Sequence, residues 1–181
     1  MQNNISYRVA LGGIVSAFCL MSMFLTGVFP LLYLVLPMIS GVLLLIVVME
    51  VSLQWAWVTY IAVGLLSLFV TYDKEAALIF ILFFGSYPLF RNYLQKISPR
   101  SVQIVIKLLI FNISMIIYFY TNIYLLGAEE LLEEFQEYGK HAGKIILLIL
   151  NPFFLMYDIS LDNLSEVYLK VLKPRIMGRK I

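Results

Sequence analysis

Five ionisable residues stand beside long apolar runs: Glu50, Asp73, Lys74, Glu75 and Asp158. Convergent carboxylates and amines in such surroundings act as proton relays or as general acids and bases. These five fall at segment ends on different sides of the expected topology, so catalysis is not expected. Glu50, at the end of a run, reads as a cap reaching the interface rather than a relay. Cys19 and His141 are the only residues of their kinds, which excludes an internal disulfide and disfavours structural zinc. Cys19 itself reads either as a small buried hydrophobe or as a reactive thiol. No metal site and no cofactor are expected. Paired glutamates occur at Glu129-Glu130, but a membrane metalloprotease would follow them with an arginine where Glu134 stands, and would use more histidines. No Gly-rich phosphate loop ending in Lys-Ser/Thr is present, so nucleotide hydrolysis is not expected of this chain.

The remaining polar groups suit binding better than catalysis. Asn112, Asn122 and Asn151 lie within apolar runs, where an unpaired amide is costly, so each should face a neighbouring helix or a ligand. Tyr118, Tyr120 and Tyr124 crowd one end of a run, and Tyr72 falls near the same expected level. Together with Trp55, Trp57 and Tyr60 they fit interfacial aromatic belts. The tyrosines beside Asn122 equally fit a pocket for a small ring compound, with Tyr72, Tyr118, Tyr120, Asn122 and Asn151 as its candidate lining.

The elements that would position these groups follow from hydropathy. Of 181 residues 62% are hydrophobic and 13% charged, against about a quarter charged in a soluble domain. From Val9 to Tyr72 the only charge is Glu50. The pattern predicts an all-α integral membrane bundle of six transmembrane helices in a single domain, over 9–29, 31–49, 53–72, 76–93, 104–126 and 143–157. Pro30, the Glu50–Gln54 interval and Asp73-Lys74-Glu75 mark the first breaks. Asn151-Pro152 is expected to interrupt the sixth span and Asp158 to close it. A stripe of Leu161, Leu164, Val167, Tyr168, Val171 and Leu172 allows an amphipathic continuation, which Pro174 would end.

Lysines and arginines set the orientation. With the N-terminus inside, ten of the thirteen fall in inner segments, and only Lys74, Lys140 and Lys144 fall outside. Both termini are therefore expected in the cytoplasm. The outer segment 128–144 carries five glutamates with Leu131, Leu132, Phe135 and Tyr138 on one face, which predicts a short amphipathic external helix. The basic tail 170–181 serves as a topology signal or touches anionic lipid. These basic residues mark topology rather than a nucleic-acid patch.

Ala10, Gly13 and Ala17 share one face of the first helix, with Gly12 and Ser16 on a neighbouring face. Small residues at this spacing admit a second helix, either within the bundle or from a partner. Gly13-Ile14-Val15-Ser16-Ala17 and Leu36-Pro37-Met38-Ile39-Ser40-Gly41, within a match from Arg8 to Leu68, resemble the substrate-binding S components of energy-coupling factor (ECF) transporters. The resemblance implies a bacterial cytoplasmic membrane protein that captures a vitamin-like small molecule from outside. It also implies a membrane scaffold subunit touching Ala10, Gly13 and Ala17, and separate ATPase subunits supplying the energy. Where many members have Gly-Pro and a further glycine after the second helix, this chain has Met49-Glu50-Val51-Ser52. The alternative is a non-transport membrane scaffold or regulator acting through the same helix face, with lipid as its main other contact.

Overall fold

The structure, a computed structural model, describes residues 5–127 and 142–176. The expected external helix at 128–144 therefore lies largely outside the described residues, as do 177–181 of the basic tail. Six apolar helices and no strand occur among the described residues. They are α1 (Ile5–Leu25), α2 (Val35–Glu50), α3 (Leu53–Val70), α4 (Lys74–Leu94), α5 (Arg100–Leu125) and α6 (Ala142–Val167). All but α2 are long and apolar enough to cross a membrane. At 16 residues α2 is about 24 Å long at 1.5 Å per residue, short for a hydrocarbon core of about 30 Å. The chain is a polytopic helical membrane protein.

Local chemistry sets the boundaries. A single 3-10 turn, Pro30–Leu32, leads into α2. Ser52 caps α3 by accepting from the Trp55 amide at 3.4 Å. Asp73 caps α4 by accepting from the Glu75 and Ala76 amides at 3.0 and 3.3 Å. Within α4 the residues Phe80–Phe84 form a π-helical turn.

Two apolar clusters share α2 and α4. One joins α1, α2, α3 and α4 through residues such as Cys19, Leu44, Val63 and Phe80. The other joins α2, α4, α5 and α6 through Leu45, Phe83, Phe111 and Phe154. In keeping with its central place, 61% of the α4 span is buried, against 22–28% for the other four long helices. The closest approach is at Gly41 of α2, where a Cβ would stand 2.0 Å from the Phe84 carbonyl oxygen. Only glycine fits there. Cys19 is fully buried and its thiol donates to the Ser40 carbonyl at 3.4 Å, while the Ser40 hydroxyl donates to the Cys19 carbonyl at 3.3 Å.

The sixth helix departs from expectation. It runs unbroken through Asn151-Pro152 and past Asp158, continuing as a π-helical turn at Tyr168–Leu172 and a last turn at Lys173–Ile176. Pro152 does not stop it, and beside it the Asn151 side chain accepts from Asn112 at 2.9 Å, which ties this turn to α5. Pro174 does not stop it either, since it sits in the Lys173–Ile176 turn. Asp158 is not a boundary, because its charge is met inside the bundle.

Candidate functional site

Among the described residues a polar network and an apolar cavity stand toward opposite ends of the bundle. The first is at the end that holds the close of α4 and the start of α5, rich in basic residues. Tyr87 and Arg91 lie four apart on α4, and Asp158 and Asp162 four apart on α6, so each pair shares a helix face. Asp158 Oδ1 accepts from the Tyr87 hydroxyl at 2.7 Å and from Arg91 Nε at 2.9 Å, and Oδ2 accepts from Lys107 Nζ at 2.6 Å. Arg91 also pairs with Asp162, which accepts from Gln95 Nε2 at 3.1 Å. Arg91, Lys107 and Asp158 are all buried. Nearby, Glu50 at the end of α2 forms an ion pair with Lys173 Nζ at 2.9 Å and accepts from the Tyr168 hydroxyl at 3.2 Å. Glu50 therefore ties α2 to the continuation of α6.

In both networks every charge faces an opposite charge, and the groups bridge helices. A cavity of about 570 Å³ adjoins the first network, lined by Gln95, Arg100, Gln103 and Asp162 among others.

The second place is a cavity of about 700 Å³ between α2, α4, α5 and α6, within the range of small-molecule sites. Its walls are apolar and largely aromatic: Phe83 and Phe84 of α4, Phe111 and Met115 of α5, Phe154 and Tyr157 of α6. The rings interlock, with Phe111 stacked on Phe154 at 4.7 Å and Phe83 edge-on to Phe111 at 5.2 Å. At the end remote from the basic residues it is framed by Tyr33, Glu75 and Tyr118. Its rim residues Leu34, Val35, Phe153 and Met156 are exposed, so it also opens sideways between α2 and α6. Tyr33, in the turn before α2, has its phenol pushed above the ordinary range by partial burial, and then by nearby Glu75 and Asp73.

Of the five candidate ligand residues, Tyr118 lines this cavity. Asn122 is fully buried one turn further along the same face of α5, its amide donating to the Tyr118 carbonyl at 3.0 Å. Asn151 bridges to Asn112. Tyr72 and Tyr120 are exposed and are not part of the lining, and Tyr120 stacks on Tyr124 at 5.9 Å. The span 53–72, at whose end Tyr72 was expected to line a pocket, contributes no lining residue, and α2 contributes Val35 and Met38. Sequence reasoning missed Tyr33, Glu75 and the phenylalanines. The phenylalanine spacing, Phe80, Phe83, Phe84 and Tyr87 at three and four residues, was the available signal for an aromatic face on α4.

The small residues of α1 divide between two faces. Gly12 looks into the bundle, where a Cβ would meet Thr59 Oγ1 at 3.4 Å. Ala10, Gly13 and Ala17 are exposed, and a Cβ on Gly13 would have no described atom within 4 Å. No group of three or more His, Cys, Asp or Glu able to hold a metal occurs among the described residues. No family model, curated protein or solved structure matches the chain.

Proposed function

We propose that the chain is a substrate-binding subunit of a bacterial cytoplasmic membrane transporter, of the ECF S-component kind. In this reading it is not an enzyme. It captures a small, largely apolar molecule from the outer side, and partner ATPases supply the energy. The observation that carries this reading is the aromatic cavity of about 700 Å³ framed by Tyr33, Glu75 and Tyr118. A bundle serving only as a scaffold would gain packing energy by filling such a space, since each unfilled Å³ in a core forfeits contact. The exposed face of Ala10, Gly13 and Ala17 supports a helix-to-helix partner, because without a hydrophobic drive in lipid such association depends on close packing.

The test is purification of the tagged chain from its native membrane in mild detergent, followed by mass spectrometry of proteins and small molecules. The expected result is a scaffold subunit and ATPases together with a retained small molecule. Recovery of the chain alone and empty, from cells actively taking up nutrients, overturns the reading and favours a non-transport role.

A further inference from the structure

We propose that this cavity takes an amphipathic organic cation, its ring or chain among the aromatic walls and its ammonium group beside Glu75. The proposal rests on the binder reading above and adds the sign of the ligand's charge. It starts from three adjacent charges, Asp73-Lys74-Glu75, which the structure assigns to three different tasks. Asp73 is used up as the cap of α4, with its Oδ1 accepting from two backbone amides. Lys74 turns away from both acids. Its Nζ donates to the Leu68 and Thr71 carbonyls at 2.7 and 2.8 Å, where the end of α3 leaves carbonyls unpaired.

Glu75 is left facing the cavity. It is half-buried, and among the described residues it is the one charged side chain in the lining and no cation forms an ion pair with it. Apolar walls lower the local dielectric, so the carboxylate attracts a cation more strongly than it would in water. Tyr33 and Tyr118 line the same cavity, and aromatic rings attract an ammonium group that reaches their faces. The apolar volume by itself would accept any hydrophobe of suitable size. Glu75 makes an amine preferable to an alcohol and sets a barrier against an acid.

Three probes of one shape separate these terms: 4-phenylbutylamine, 4-phenylbutanol and 4-phenylbutyrate. Binding is read by equilibrium dialysis against the full chain in nanodiscs of phosphatidylcholine, whose surface has no net charge. The expected order is amine, alcohol, acid, with the amine held ~10-fold tighter than the alcohol, the step expected of one partly desolvated charge pair. Glu75→Gln brings the amine down to the alcohol, while Glu75→Asp keeps the preference. Met115→Trp, which fills the cavity, lowers binding of all three.

Equal binding of the three probes, or an amine preference that survives Glu75→Gln, overturns the charge selection and leaves the binder reading intact. Amine binding that is indifferent to Met115→Trp places the site elsewhere and overturns the proposal. If none of the probes binds, both the proposal and the binder reading lose their support.

Discussion

The two ends of the bundle treat charge in opposite ways. At the basic end Asp158 meets Tyr87, Arg91 and Lys107, and Glu50 meets Lys173 and Tyr168. At the other end Glu75 frames a cavity with no cation paired to it among the described residues. A buried charge is tolerated when it is paired and hydrogen-bonded, so the basic end is a device for fixing α2, α4, α5 and α6 to one another. A carboxyl group that faces a cavity without such a partner has no comparable structural return. The contrast is why the proposed ligand site is placed at the unpaired end, even though more charges gather at the other.

The sharpest way to break this contrast is Asp158→Leu. It leaves Arg91 and Lys107 buried without their shared carboxylate, and should destabilise the chain by roughly 3–5 kcal/mol. Unfolding in detergent micelles, followed by circular dichroism, gives the measurement. Replacing Arg91 and Lys107 by methionine in the same protein should recover much of the loss, because the penalty lies in the orphaned charges. A neutral Asp158→Leu would mean that the network is not holding the helices. Next in size is Gly41→Ala, at the contact between α2 and α4 that backs the cavity at Phe84. A Cβ there would stand 2.0 Å from a backbone oxygen, so the helices must separate, at a cost of about 1–3 kcal/mol. The same unfolding assay reads it, with increased probe access to the cavity as the second expected change.

The cavity itself should respond differently. Met115→Trp adds volume where space already exists, so stability should change by less than about 1 kcal/mol in either direction. The small molecule retained through purification should nevertheless be lost, as mass spectrometry of the extracted protein would reveal. A large destabilisation with no loss of retained ligand would show that the space is only a packing gap.

These two regions were not equally legible in the sequence. Six apolar runs and their breaks, Asp73-Lys74-Glu75 among them, follow from composition along the chain, and the first five helices appear near where those signals fall. Asp158 looked like the end of a span because hydropathy is summed along one segment, whereas its partners Arg91 and Lys107 are 67 and 51 residues away. The cavity was partly readable. Tyr118 and Asn122 are four apart and share a face, while Tyr120 lies about 200° round the helix from Tyr118 at 100° per residue. Helical geometry thus already separated Tyr118 and Asn122 from Tyr120 and Tyr124. No reading of a single segment could show that Tyr33, Glu75 and Met115 line one cavity, since they come from three elements brought together by packing.

The smallest expected effect on the fold is at Gly13, and it tests the face of α1 that lies outside both regions. A Cβ there has no described neighbour within 4 Å beyond its own helix backbone, so a leucine starts into open space on an exposed face. Gly13→Leu should therefore change the stability of the isolated chain by no more than about 0.5 kcal/mol, as for other exposed substitutions. Ala17→Leu, on the same exposed face, should behave alike. Helix association in lipid is another matter, since it depends on backbones approaching closely and a leucine side chain holds them apart. The expected outcome is an intact bundle with probe binding unchanged and co-purification of the membrane partner lost. If Gly13→Leu instead unfolds the chain while partners still co-purify, the face belongs to the bundle and not to an association. A Gly12→Leu control should destabilise the isolated chain, because its side chain would press on Thr59 at a distance already tight for a Cβ. Adjacent glycines with opposite readouts would show that α1 has an inward face for the fold and an outward face for a partner.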